Sequence, residues 1–224
     1  MQYINTTIDL VLTLSAEDIA IIKWWVDASY AIHANMRSHT GATMSIGRGM
    51  LYSKSAKQKL NSKSSTEAEL IGASDMLGQT LWTLYFLRDQ GYDTIKTTLH
   101  QDNTSSIALE KNGKMSSSQR TRHINIRYFF IKDKVEKDEV SIVYCPTEDM
   151  VADYFTKPLQ GKQFKRFRDI IMGISRISSK ERVGKGDTSH TTETTNGHET
   201  TDIADEIGAT RKSVNFSDIN TNGD

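Results

Sequence analysis

The sequence predicts an α/β domain in which a mixed sheet of five strands carries helices, followed by a tail that does not pack. Three short β-rich runs precede the first helix, close enough together to be joined as hairpins. Strand-like and helical runs then alternate, which brings later strands into the same sheet by way of helices. Aromatic and apolar content falls away after Ile174, which marks where packing stops.

Ala20 to Tyr30 (AIIKWWVDASY) opens apolar and β-branched and then meets small polar residues, as a buried strand does when it ends at a site. His39-Thr40-Gly41 reads as a turn. Thr43 to Ile46 and Met50 to Ser53 read as two further strands joined through Gly47-Arg48-Gly49. From Ser65 to Gln90, Leu70, Ala73, Leu77, Leu81, Leu84 and Leu87 recur on one helical face. Ser64 with Glu67 forms a capping box, and Gly91 ends the helix. Thr97 to His100 is a short strand leading into Gln101-Asp102-Asn103, then a short helix to about Lys111. Met115 to Arg122 is a polar loop, and His123 to Lys134 has helical spacing at Ile124, Tyr128 and Ile131. Glu139 to Tyr144 reads as a strand broken by Pro146, and Glu148 to about Met172 as a helix interrupted at Pro158. Trp24, Trp25, Tyr128, Phe129 and Phe130 are expected in the core.

Composition narrows the possible functions. The chain holds 28 basic and 28 acidic residues among 224, so overall charge names no partner and a histone-like or polyacidic protein is excluded. A lone cysteine, Cys145, excludes a disulfide framework or a cysteine-rich zinc site and suits a reducing compartment. No apolar run approaches the length of a membrane span. The N-terminus lacks the basic start of a signal peptide, and Asp9, Glu17 and Asp18 interrupt its apolar stretch. A soluble intracellular chain with no membrane partner is expected. From Ser175 to Asp224 there is one aromatic residue, Phe216, with six basic and nine acidic residues, so this stretch is expected to be disordered.

Four acids stand where packing does not call for them. Asp27 lies inside an apolar strand, Asp102 closes another, Asp153 sits between Val151-Ala152 and Tyr154-Phe155, and Glu69 directly precedes Leu70. Buried carboxylates are desolvated and repel one another unless a cation joins them. Oxygen ligands of this type suit hard Mg²⁺. Asp27 or Asp102 taken alone could simply cap a strand or turn, and Asp153 could equally be an exposed helix residue. Glu67 and Glu69 lie about 200° apart around a helix and cannot share a face. Glu67 is taken up by the capping box, which leaves Glu69 to turn toward the sheet.

The strings WWVDASY, SSTEAEL, HQDNTSSIAL, RTRHINIRYFFIKD and VADYFTKPL, in this order from Trp24 to Leu159, resemble the ribonuclease H domain of copia-type retrotransposon polyproteins. Met1 to Ser15 resembles the segment that joins reverse transcriptase to this domain. Three parts are therefore expected: a residual connection segment (1–19), a ribonuclease H-like domain (20–174) and a tail (175–224). The chain would be the C-terminal end of a polyprotein or a remnant reading frame. The resemblance implies a ribonuclease H-like fold, with three antiparallel strands, two parallel ones and helices on both faces. It implies metal-dependent hydrolysis of the RNA strand of RNA–DNA hybrids. Asp27, Glu69, Asp102 and Asp153 would be the catalytic and metal-binding acids, and two Mg²⁺ or Mn²⁺ ions the cofactors. Partners would be the RNA–DNA hybrid and the reverse transcriptase domain of the parent polyprotein, in a cytoplasmic virus-like particle or the nucleus. Cellular relatives usually carry a histidine just ahead of the last acid. Cys145 to Met150 has none, which implies a slower or differently assisted enzyme.

Sensing 2′-hydroxyls across the shallow minor groove of a hybrid would fall to Ser29 and Asn103. Lys54, Lys57, Lys59 and Lys63, with Arg120, Arg122 and Arg127, could hold phosphates, though any single lysine reads first as a solvated charge. His123 could touch substrate or simply start its helix. The competing reading is an inactive nucleic-acid-binding remnant of the same fold. A polynucleotidyl transferase would instead be expected to place a glutamate on the last helix.

Overall fold

Ile21–Ser29 is buried almost end to end, a pattern that only a strand covered on both faces can satisfy. It is the middle strand of the main sheet. In the computed structural model, which describes residues 2–17, 19–92, 96–112 and 122–176, the strands are β1 (Ser15–Ala16), β2 (Ile21–Ser29), β3 (His39–Ser45), β4 (Gly47–Arg48), β5 (Tyr52–Lys57), β6 (Lys96–Gln101) and β7 (Ser141–Tyr144). The helices are α1 (Gln2–Asn5), α2 (Ser65–Asp89), α3 (Thr104–Asn112), α4 (Arg122–Glu136) and α5 (Gly161–Ile171), with 3-10 turns at Thr147–Asp149 and Val151–Phe155. The main sheet runs β5-β3-β2-β6-β7. β2 and β5 pair antiparallel to β3, while β6 lies parallel to both β2 and β7. This is the mixed five-stranded, ribonuclease H-like sheet. The expected tail beyond Arg176 and most of the expected loop at 115–122 lie outside the described residues.

Alternation along β2 divides the core. Ile22, Trp24 and Val26 face one layer, packing with Leu70, Ala73, Leu77, Leu81 and Leu84 of α2 and with Tyr128 and Ile131 of α4. Trp25 faces the other, with Cys145, Met150, Val151, Ala152, Phe167 and Ile170. Helical elements thus cover both faces. The side chain of Ser64 accepts the Glu67 N–H at 3.1 Å, and the Glu67 carboxylate accepts the Lys63 N–H at 2.7 Å. The capping box therefore forms, displaced by one residue at its return bond.

The residues read as a connection segment join this unit. β1 pairs with β4, the Thr13 N–H donates to the Met172 carbonyl at 2.9 Å, and the Tyr3 ring meets Phe164 edge-on.

Three expectations are corrected. His39-Thr40-Gly41 is not a turn but the start of β3, with Gly41 opposite Asp27. The glycine is there for close approach: a Cβ would stand 2.6 Å from Thr156 Cγ2 and 2.8 Å from the Ala152 carbonyl oxygen. Second, Glu148 to Met172 is not one broken helix. Two 3-10 turns separated at Met150 precede α5, so Asp153 sits on a tight turn. Third, Phe129 and Phe130 are 60% and 41% exposed, because α4 turns Tyr128 and Ile131 inward instead.

Behind β6 the core holds a fully buried carboxyl, Glu110 of α3. Burial pushes its pKa up to about 8, against the pull of its hydrogen bonds to Ser106 and Gln101. Ser106 Oγ donates to Oε1 at 3.1 Å, and the Gln101 amide stands 2.7 Å from Oε2. A neutral acid donates to the amide oxygen there, whereas an ionised one needs the amide nitrogen turned inward. Proton and amide orientation are thus linked, one residue ahead of Asp102.

This packing has consequences for stability that can be measured. Gly41→Ala is expected to lower unfolding free energy by about 1–3 kcal/mol in urea titration, since a backbone carbonyl must move. Gly78→Ala, on α2 with nothing within 4 Å of the new carbon, is expected to raise it by about 0.5–1 kcal/mol. Stability should also depend on pH through Glu110. The folded state holds the Glu110 proton more tightly than the unfolded chain, so the contribution is full below the ordinary value near 4.5 and is lost as pH rises to about 8. Glu110→Gln is expected to match wild type near the low end and exceed it at the high end, removing up to about 1.4 kcal/mol per pH unit of slope. Equal pH slopes for the two proteins would refute the assignment.

Candidate active site

Parallel pairing of β2 with β6 sets Trp25 opposite His100. Two residues further along, Asp27 and Asp102 emerge side by side at the same sheet edge. Glu69, near the start of α2, reaches over that edge, and its Oε1 accepts the Ala28 N–H at 3.0 Å. Asp27, Glu69 and Asp102 each offer a carboxylate oxygen within 4.8 Å of the others. Asp153 comes from the second 3-10 turn, on the far side of a shared lysine. Lys157 Nζ lies 2.7 Å from Asp153 Oδ1 and 3.7 Å from Asp27 Oδ1. Thr156 Oγ1 donates to Asp27 Oδ2, and Thr147 Oγ1 donates to Asp102 Oδ2 at 3.1 Å.

The electrostatics of the site are set by burial. Asp27 is raised above the usual carboxylate range, first by burial and then by the charge of Asp102, against Lys157 and Thr156. Glu69 is raised well above it by burial and the neighbouring Asp27, against the Ala28 N–H. Burial lifts Asp153 to about 6, opposed by its hydrogen bond from Lys157. Burial also works against the Lys157 charge, but the bond to Asp153 and the charges of Asp27, Asp153 and Asp102 prevail and raise its pKa. At Asp27, Glu69 and Asp153, desolvation contributes more than mutual repulsion.

The donor set fits a hard divalent cation. It is all carboxylate oxygen, and three ligand atoms share one small volume. Glu69 Oε2 is buried with no hydrogen-bond partner, an orphan that a cation would satisfy. Glu67 stays on the cap and takes no part.

The residues singled out for substrate are spread more widely. Ser29 is half-buried, and its Oγ donates to the Thr156 carbonyl at 3.1 Å, beside the acids. Asn103 follows Asp102, but its Oδ1 accepts the Ser106 N–H at 3.0 Å and caps α3. Lys57 is exposed at the end of β5, and Lys54, Lys59 and Lys63 are exposed nearby in sequence. Arg127 is engaged with Asp75. The side chains of Arg122 and His123, and all of Arg120, lie outside the described residues. Thr156, Lys157 and Thr147 were not singled out by sequence reasoning. For Lys157 a signal existed, since it stands four residues after Asp153, the spacing of a helical ion pair. The threonines carried none.

Comparison with known proteins places these features. No family model matches the chain. It is 28% identical over 172 residues to the retrovirus-related Pol polyprotein from transposon TNT 1-94 of Nicotiana tabacum, covering 76% of this chain and 13% of that protein. It is 30% identical over 166 residues to the corresponding polyprotein from transposon RE1 of Arabidopsis thaliana, covering 74% and 11%. The chain thus spans about a tenth of the length of these relatives. Among solved structures, it aligns with an RNase H1 isolated from compost at 15% identity and a TM-score of 0.43, covering 61% of this chain and 92% of that one. It also aligns with the RNase H1 of Halobacterium salinarum NRC-1 at 15% identity and a TM-score of 0.37, covering 57% and 86%. The chain is a relative of the Pol polyproteins of copia-type transposons and carries a ribonuclease H-like domain.

Proposed function

We propose that the chain is a metal-dependent endonuclease that hydrolyses the RNA strand of RNA–DNA hybrids. The observation that carries this reading is the convergence of Asp27, Glu69 and Asp102 at one sheet edge, with Asp153 beside them across Lys157. Asp27, Glu69 and Asp102 would hold one divalent ion, and Asp153 with Asp27 a second. Bound there, Mg²⁺ or Mn²⁺ supplies charge to activate a water and to stabilise the 3′ oxygen leaving phosphorus. The protein's own share is placement. β2 and β6 fix Asp27 and Asp102, α2 fixes Glu69 through the Ala28 N–H, and Thr156 and Thr147 orient two of the carboxylates.

Ser29, bonded to the Thr156 carbonyl beside the acids, would meet a substrate sugar, and the exposed Lys57 and Lys59 would meet phosphates, with Asn103, Arg122 and His123 as further contacts. The hybrid is then the partner, together with the reverse transcriptase domain of a parent polyprotein. The site of action is intracellular, in a cytoplasmic particle or the nucleus. Among the described residues no helix is long and apolar enough to cross a membrane. The parts proposed along the chain are a connection segment at 1–19, the nuclease domain at 20–174 and an appended tail at 175–224.

A labelled RNA–DNA hybrid with Mg²⁺ or Mn²⁺ tests the reaction. RNA cleavage is expected, falling on the order of a hundred- to a thousandfold in Asp27→Asn, the scale of losing one group that organises transition-state charge. Binding of hybrid without cleavage under either metal would favour the inactive remnant. Metal uptake has its own readout. Asp27, Glu69 and Asp153 hold protons above the ordinary range, Asp153 to about 6, and ligands must lose them to bind a cation. The rise in Tm caused by millimolar Mg²⁺ is therefore expected to be larger at pH 8 than at pH 6, and to vanish in Asp102→Asn. A shift independent of pH, or one that survives Asp102→Asn, would contradict the metal site.

A further inference from the structure

Two of the four acids already share a positive charge. Lys157 Nζ lies between Asp153 Oδ1 at 2.7 Å and Asp27 Oδ1 at 3.7 Å. Among the described residues, no basic side chain pairs in this way with Glu69 or Asp102. The cluster is therefore divided. One side is a trio of carboxylates with an unsatisfied buried oxygen, Glu69 Oε2. The other is a carboxylate pair with an ammonium of the protein's own.

Backbone geometry puts the lysine there. The Lys157 N–H donates to the Asp153 carbonyl at 2.9 Å, which stacks the two side chains one turn apart. Pro158 then prevents the turn from continuing. The Asp27 and Asp153 side chains are 3% and 2% exposed, but that of Lys157 is 37% exposed. Its stem can therefore rotate outward without opening the core. An ammonium and a divalent ion cannot both occupy the gap between Asp27 and Asp153, because like charges a few ångströms apart repel strongly in a partly buried site.

We propose that Lys157 is a resident counter-cation that orders metal uptake. The first divalent ion goes to Asp27, Glu69 and Asp102, and an ion held through Asp153 enters only by displacing the Lys157 ammonium. This rests on the metal-dependent reading above. It makes Lys157 a positioning residue: it keeps Asp153 compensated and aimed until a competing cation arrives.

Mn²⁺ binding to the full chain without nucleic acid tests this, counting bound ions from loss of the free-ion paramagnetic resonance signal. Wild type is expected to take up one ion, which Asp27→Asn abolishes. Lys157→Met leaves two buried carboxylates without a counter-charge. It is expected to take up a second ion, its affinity raised on the order of 10–100-fold, the scale of changes just outside the ligand set. Lys157→Gln keeps a hydrogen-bond donor to Asp153 without the charge and is expected to behave the same way, which covers the case in which the Met variant does not fold. Lys157→Arg is expected to stay at one ion, and adding Asp153→Asn to Lys157→Met to return the count to one. Two ions of equal affinity in wild type, or a single ion in both Lys157→Met and Lys157→Gln, would overturn the role of Lys157 while leaving the three-acid site standing. No ion in wild type would overturn the metal reading itself.

Discussion

Everything at this sheet edge answers to one constraint: carboxylates withdrawn from water beside one another must be compensated. Desolvation is the leading cause of the raised pKa at Asp27, Glu69 and Asp153, so a fold that merely gathered these acids would favour their protonated forms. The compensations are specific. Glu69 has a backbone N–H from Ala28, Asp27 and Asp102 have threonine hydroxyls, and Asp27 and Asp153 share the Lys157 ammonium. The oxygen left unsatisfied, Glu69 Oε2, points to where a cation is still wanted.

The architecture is arranged to deliver those groups. Parallel register between β2 and β6 makes Asp27 and Asp102 neighbours although they are far apart in sequence. The last acid arrives on a 3-10 turn that must lie almost on the backbone of β3. Gly41 permits this, since any side chain there would meet Thr156 and the Ala152 carbonyl. The same close approach brings Thr156 to Asp27 and its carbonyl to Ser29. One missing Cβ therefore decides whether Asp153, Thr156 and Lys157 reach the site together.

The difference between what was legible in the sequence and what was not tracks the range of each interaction. Helix α2 was readable to its cap because Ser64, Glu67 and the leucine spacing act within a few residues. Glu69 could be separated from Glu67 by the angle between them. Gly41 reads locally as a turn because a glycine needed for contact with residues 152–156 has the same signature as one needed for a bend. The segment around Asp153 reads as α-helix because its apolar spacing suits a buried face, and the stop at Pro158 is legible in the proline itself, while the distortion at Met150 depends on how the segment lies against β3. Phe129 and Phe130 mislead for a related reason: three successive aromatic residues cannot all face inward from a helix, and only Tyr128 does.

The lysines show why charge alone does not identify a binding surface. β5 is an edge strand, and lysines there have a structural use in discouraging other strands from pairing. Lys54 stands across the sheet from Ala42 and, beyond it, Val26, so it lies short of the acids. Lys57 stands across from His39 and, beyond it, Ser29, past the level of Asp27. Edge protection explains both residues equally, but only Lys57 also lies at the end of the sheet that carries the acids, where the proposed hybrid would present its phosphates. Register, which exposure cannot reveal, separates them. Lys157 differs from both because its charge is already committed to the acids, and it becomes available to anything else only when another cation takes its place.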